Sequence, residues 1–196
     1  MKPEKPTPEL VKYYLNKFDA DEKNISVENA LKTLLNRFPE NKNIDEIRLK
    51  VCSVNSLYST NIYDTLKVAK HIQSLNIDEA LINGDEKVIS QIATGHGIAS
   101  LKSEVGKEIN FYSFATKYCS WHNPNEFPIF DSYVEKILIA YRELGFYDFK
   151  NVELKQYHRF KEIIIGFRAY YNLPDLSLKE VDKFLWLYAK DLFKNK

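Results

Sequence analysis

Chemistry needs reactive side chains at workable spacing, and this chain offers few. Its four histidines, His71, His96, His122 and His158, are scattered, and none stands at the spacing of a local metal pair. Cys52 and Cys119 are too few for a disulfide framework and lack the spacing of a zinc or iron-sulfur site. Gly95-His96-Gly97 is too short to cradle a phosphate, and the chain carries no Walker loop, dinucleotide fingerprint or nucleophile elbow. No metal or other cofactor is therefore expected. Asp131 and Ser132 stand where a helix should begin, as its N-cap, with Ser132-Tyr133-Val134-Glu135 in the pattern of a capping box. Lys117 follows Ser113 by one helical turn on the same face, so its amine either shares a pocket with that hydroxyl or is solvated. Tyr112, Trp121 and His122 are either core or faces on which an extruded base could stack. Asn55, Tyr58 and Ser59 fall in a polar break that is either an ordinary turn or a set of donors for phosphate oxygens.

The elements that must position these groups read as helices. Pro8-Glu9-Leu10-Val11 opens the first, with proline in the first turn and a carboxylate near the positive end of the dipole. Ser26-Val27-Glu28-Asn29 starts a second, whose Ala30, Leu31, Leu34, Leu35 and Phe38 share a face. A third runs from Ile44 to Val54, and a break over Asn55–Asn61 separates it from a fourth carrying Ile62, Leu66, Val68, Ala69 and Ile72. Two short helices flank Asn83-Gly84-Asp85, and Thr94-Gly95-His96-Gly97 interrupts the chain. An aromatic helix follows from Glu108 to Trp121, then a loop, His122-Asn123-Pro124-Asn125-Glu126-Phe127-Pro128. Three long helices close the chain: Ser132–Leu144, Glu153–Tyr171 and Ser177–Phe193. In the last of these Leu178, Val181, Leu185 and Tyr188 share a face, an architectural pattern. No stretch alternates as a half-buried strand must.

Length and composition bound the reading. A chain of 196 residues with 44% hydrophobic and 28% charged residues suits one folded domain. Thirteen Tyr and twelve Phe stand against one Met, so large aromatic surfaces are expected to tie the helices together. A formal net charge of +1 removes any global electrostatic argument for nucleic acid, leaving only a local basic patch. No apolar run approaches a membrane span, and cysteine usage suits a reducing compartment, so a cytoplasmic location without membrane contact is expected.

One stretch carries a family resemblance. Phe127-Pro128-Ile129-Phe130-Asp131, followed by Val134 and Leu138, resembles the loop and helix start of the helix-hairpin-helix DNA glycosylases, most closely the adenine-mismatch branch. Lys136 replaces an arginine of that pattern, and counting back without a gap puts Ser113 where that branch has serine and bifunctional relatives have a Schiff-base lysine. Val51–Ile62 is similar to the region such enzymes press into the duplex. The chain departs from the family elsewhere. Lys107-Glu108-Ile109-Asn110-Phe111 stands in place of the glycine-rich hairpin, Lys50 replaces a catalytic glutamate, and the iron-sulfur cysteines are missing.

The resemblance implies an all-α, single two-lobed domain over residues 1–196, with a glycosylase-like core at about 44–144 and the terminal helices forming the second lobe. It puts the crossings near residues 40 and 150 and Asp131 at the mouth of a cleft. Double-stranded DNA is then the expected partner. The implied activity is monofunctional base excision, in which Asp131 stabilises the sugar cation or activates water. Ser113 and Lys117 would sit nearby, and Asn55, Tyr58, Ser59, Lys107, Tyr112, Trp121 and His122 would touch the nucleic acid. The alternative is a protein that keeps the fold without catalysis and binds nucleic acid or a protein partner.

Overall fold

The structure is a computed structural model that describes residues 2–94 and 110–194. Among the described residues it is all helical, with ten α-helices and one 3₁₀ turn. The helix start expected at Glu108, the turn at Gly95-His96-Gly97 and Lys107 lie outside the described residues. The chain divides into two compact units, one formed by residues 1–26 and 128–196 and the other by Val27–Phe127.

In the first unit, α1 (Pro8–Ala20) is capped by Thr7, whose hydroxyl accepts from the Leu10 amide. With it come α8 (Ser132–Arg142), a 3₁₀ turn (Asn151–Lys155), α9 (Tyr157–Tyr170) and α10 (Leu178–Phe193). The single helix expected from Glu153 to Tyr171 is therefore two segments that meet at Gln156. α10 packs against α1, α8 and α9, burying Leu178, Val181, Leu185 and Tyr188 as their shared face requires. A reciprocal capping box holds its start: the Glu180 amide donates to Ser177 Oγ and the Ser177 amide to Glu180 Oε2.

The tyrosines and phenylalanines form a continuous net in this unit. Tyr141 meets Phe167 edge to face at 5.1 Å, Tyr171 lies tilted against both at 5.4 and 4.8 Å, and Phe184 stacks on Tyr188 at 5.6 Å. Such pairs contribute about 0.5–1.5 kcal/mol each beyond area burial. Two of these hydroxyls hold the N-terminal segment. The Glu4 amide donates to Tyr188 Oη at 2.6 Å, Tyr141 Oη donates to the Glu4 carbonyl at 2.9 Å, and Pro3 and Pro6 are buried. Removing residues 2–6 should therefore lower stability by about 2–4 kcal/mol, because Tyr141 keeps a buried hydroxyl without its acceptor and two proline contacts vanish. Urea unfolding of the truncated chain against the full chain measures this.

The second unit takes most of α2 (Glu22–Arg37) and all of α3 (Ile44–Tyr58), α4 (Thr65–Leu75), α5 (Asp78–Asn83), α6 (Lys87–Ala93) and α7 (Tyr112–His122). α2 starts four residues before the expected Ser26, because Asp21 Oδ1 accepts from the amides of Lys23 and Asn24 and so caps the polar first turn. α3 runs past Val54 to Tyr58 and stops at Ser59, which adopts φ 50°. α7 packs against α3, α5 and α6, and every residue from Phe114 to Ser120 is buried. A helix covered on all sides holds a central place in its unit.

The unit boundaries fall at 26/27 and 127/128, not near 40 and 150, and α8 joins α1, α9 and α10 rather than the 44–144 segment. The second shift has a local cause. Tyr157 Oη donates to the Pro128 carbonyl at 3.0 Å and Asp182 Oδ2 accepts from the Ile129 amide at 2.7 Å, which ties the loop after Phe127 to α9 and α10.

Candidate functional site

Two groups of side chains carry most of the chemistry, one in each unit. In the first unit, Asp131 is the N-cap of α8, and its Oδ1 accepts from the Tyr133 amide at 2.9 Å. The residue is half-buried. The expected capping box through Ser132 gives way to this cap, and the Glu135 carboxylate instead receives the Lys155 amine at 2.9 Å. Both backbone anchors just described act two and three residues upstream of Asp131, and Phe130 packs edge-on to Phe160 at 5.5 Å. The aspartate thus emerges from a short, rigidly held turn. Asp182, which the sequence reading leaves in an architectural helix, is part of that support: it is buried and holds Ile129. An acidic residue amid an apolar helical face was the available signal.

In the second unit, α7 is unusual for the polar groups it buries. Thr116, Lys117 and Ser120 are buried beside Phe114, Tyr118 and Cys119. Lys117 is only 2% exposed, so the solvated alternative fails, and its Nζ lies 2.5 Å from Ser113 Oγ and 5.5 Å from the centre of the Tyr58 ring. Trp121 Nε1 donates to Tyr58 Oη at 3.0 Å. The structure therefore brings Tyr58, Ser113, Lys117 and Trp121 together, while Tyr112 is half-exposed at the start of the same helix.

His122 sits elsewhere on α7, its ring 5.1 Å from that of Tyr118. Its Nε2 is buried and has no hydrogen-bond partner among the described residues. Burial, reinforced by the Lys50 charge, pushes its pKa down to about 3. Between about 6.5 and 3 the unfolded chain binds a proton that the folded one refuses, so stability is lost as pH falls, by about 1.4 kcal/mol for each pH unit. His122→Phe should shift the acid-unfolding midpoint to lower pH, followed by circular dichroism. Identical titrations of the two proteins would exclude His122 as the responsible group.

Lys50 is 0% exposed. Its Nζ donates to the carbonyls of Phe38 at 3.1 Å and Glu40 at 2.8 Å, and to Asn41 Oδ1 at 2.9 Å. Tyr118 Oη donates to the same Asn41 oxygen at 2.5 Å, while the Asn41 amide and Nδ2 donate to Asp78. This network joins the end of α2, α3, the first turn of α5 and α7. Its geometry is that of a structural staple, since each donor and acceptor in it points at another member.

The α3–α4 connection differs from expectation. Asn55 and Tyr58 belong to the last turn of α3, not to an open break, and only Ser59 lies past the helix. Asn55 is committed to the turn itself: Oδ1 accepts from Thr60 Oγ1 and the Ile62 amide, and Nδ2 donates to the Ile62 carbonyl, all at 2.9 Å. The side chain this turn presents is Tyr63, which is 95% exposed. Sequence reasoning passed over it. The signal was Ile62 ahead of the α4 cap Asp64, because a buried Ile62 and a capping Asp64 leave the intervening side chain pointing outward.

Among the described residues, no cluster of histidine, cysteine and carboxylate side chains could hold a metal ion, and no helix is long and apolar enough to cross a membrane. Comparison with known sequences matches residues 10–126 to the family described as HI_0787_N, N-terminal domain. The chain belongs to this family. The matched region runs from α1 through α7 and ends at Glu126, ahead of Asp131. A Haemophilus influenzae protein named "Uncharacterized protein" is 43% identical over 141 residues, which cover 71% of this chain. This chain spans 64% of that relative's length. No solved structure matches.

Proposed function

We propose that this chain is a DNA-binding protein related to base-excision glycosylases, a monofunctional N-glycosylase in which Asp131 is the working carboxylate. The observation that carries the reading is the turn Pro128–Asp131. Its carbonyl and amide are held by Tyr157 and Asp182, so a half-buried carboxylate is set in place before any substrate arrives. Breaking a glycosidic bond builds positive charge on the sugar, and a preorganised carboxylate stabilises that charge or takes a proton from the attacking water. Tyr63 supports the binding half of the proposal, because an exposed aromatic ring on a pinned turn can stack on a base at small entropic cost.

Incubation with a panel of mismatched and lesion-bearing duplexes, followed by alkali to cleave abasic sites, tests the activity. Excision of any base supports the reading. Silence on every substrate favours binding without catalysis, a reading that one observation supports: Asp131 accepts from the Tyr133 amide and so serves as a helix cap whether or not it is catalytic.

Binding itself should be weak and salt-sensitive. With a net charge of +1 only a few phosphates are neutralised, each contributing about −0.9 to the log–log salt slope. Titrating labelled duplex at several salt concentrations measures the slope, and a tight complex that survives high salt contradicts the proposal.

A further inference from the structure

The segment ahead of α1 lies on the first unit in the manner of a bound peptide. Pro3 and Pro6 are buried, while Lys2, Glu4 and Lys5 beside and between them are exposed. Burial at every third residue is the period of a polyproline II helix, in which prolines at i and i+3 share a face. The residue between them is bonded through its backbone alone on both sides: the Glu4 amide donates to Tyr188 Oη at 2.6 Å, and Tyr141 Oη donates to the Glu4 carbonyl at 2.9 Å. Burial pushes both tyrosine hydroxyls up in pKa, so each keeps its proton across the ordinary pH range. Their rings belong to one aromatic cluster. Tyr14 lies 5.1 Å from Tyr188 and Tyr171 lies 5.4 Å from Tyr141, and Phe167 and Phe184, 6.5 Å apart, join the two pairs. Buried prolines at this spacing, with hydroxyl bonds to the backbone between them, are the means by which aromatic surfaces recognise proline-rich segments. Such segments dock at small entropic cost because the proline ring has already fixed their backbone.

From this arrangement we propose that the surface around Tyr141 and Tyr188 is a docking groove for Pro-x-x-Pro segments of partner proteins, with Pro3-Glu4-Lys5-Pro6 as its tethered occupant. The seated segment defines the partner's chemistry. Two prolines three residues apart bury in the same way, and the residue after the first must not be proline, because the bond to Tyr188 needs its N–H. The side chains in between are free to vary, since those of Glu4 and Lys5 are exposed. A short tether presents its segment at an effective concentration of order mM, so a peptide that binds the released groove at about 0.1 mM should bind wild type about tenfold more weakly. Docking is therefore self-limited. The proposal is independent of the glycosylase reading.

Fluorescence anisotropy of the full chain with labelled Lys-Pro-Glu-Lys-Pro-Thr tests it, beside one peptide with alanine at both intervening positions and one with serine in place of both prolines. Pro3→Ser combined with Pro6→Ser releases the chain's own segment without shortening it. The double variant should bind the first two peptides about tenfold more tightly than wild type does, and the serine peptide not at all. Adding Tyr141→Phe, which removes the donor to the peptide carbonyl, should weaken binding about fivefold. If the double variant fails to fold, amide spectra of wild type decide: excess peptide should move the Glu4 amide toward its position in the free peptide. No binding to a folded double variant, equal affinity for it and wild type, equal binding of the serine peptide, or an unmoved Glu4 amide would overturn the groove. Binding of the chain's own sequence but not of the alanine peptide would overturn the partner class. A wild-type dimer that the double substitution dissociates would place the segment on a second copy, and would overturn it as well.

Discussion

Asp131→Asn is expected to cost a glycosylase several powers of ten in rate while leaving its melting temperature almost unchanged. The two effects separate because the proposal gives the residue a second role beside its observed one. As a cap, Oδ1 accepts from the Tyr133 amide, and an asparagine side-chain oxygen accepts equally well, so stability should move by only a few tenths of a kcal/mol. In the proposed reaction its carboxylate carries the charge that screens a sugar cation or takes a proton, and an amide does neither. Asp131→Ala removes both and should lose about 1 kcal/mol as well as activity. Excision rates on whichever duplex the panel identifies, set beside thermal melts of the three proteins, give the comparison. An Asn variant that excises as fast as wild type would falsify the catalytic role and leave the cap.

Lys50→Met should lower stability by about 3 kcal/mol, because it leaves the Phe38 and Glu40 carbonyls without their buried donor and removes one of the two donors to Asn41. For a chain of this length that corresponds to a drop of about 10 °C in melting temperature. The pH dependence identifies the cause. Burial pushes the Lys50 pKa down to about 8, against the partial opposition of Asp78 and Glu46. Below that pH the lysine is charged in both folded and unfolded chains, and the stability gap between wild type and variant stays flat. From about 8 to 10.5 the unfolded chain keeps a proton that the folded chain has released, so wild type gains on the variant by about 1.4 kcal/mol for each pH unit. Urea melts of both proteins from pH 7 to 10 measure the gap. A gap that narrows across that range would mean that Lys50 is not buried as described.

Much of the helical content was legible because it rests on local rules. Pro8 in a first turn, the Ser177 and Glu180 capping pair and Gly84 ending α5 at φ 68° are signals that a few neighbouring residues carry entirely. The errors were at ends where a side chain did something that periodicity does not report. Asp21 ends α1 and caps α2 at once, so a polar stretch that looked like a loop became a first turn. Asn55 looked like a break because it is polar, yet it closes the turn after α3 from within the helix.

The sequence by itself determined the all-helical class, the apolar faces of the helices, and the candidacy of Asp131 as a helix cap, all set by residues within a turn or two of one another. Tertiary structure decided which polar groups are buried. Lysine is ordinarily a surface residue, and nothing local marks Lys50 or Lys117 as different. Lys50 is covered because the chain after α2 brings two carbonyls and Asn41 to its amine, and Asn41 is itself held by Asp78 from α5. Lys117 is covered because α7 takes the centre of its unit, where the serine one turn before it and Tyr58 from α3 lie against its amine. Burying such a group requires partners in fixed positions, and here most of those partners lie outside the lysine's own helix.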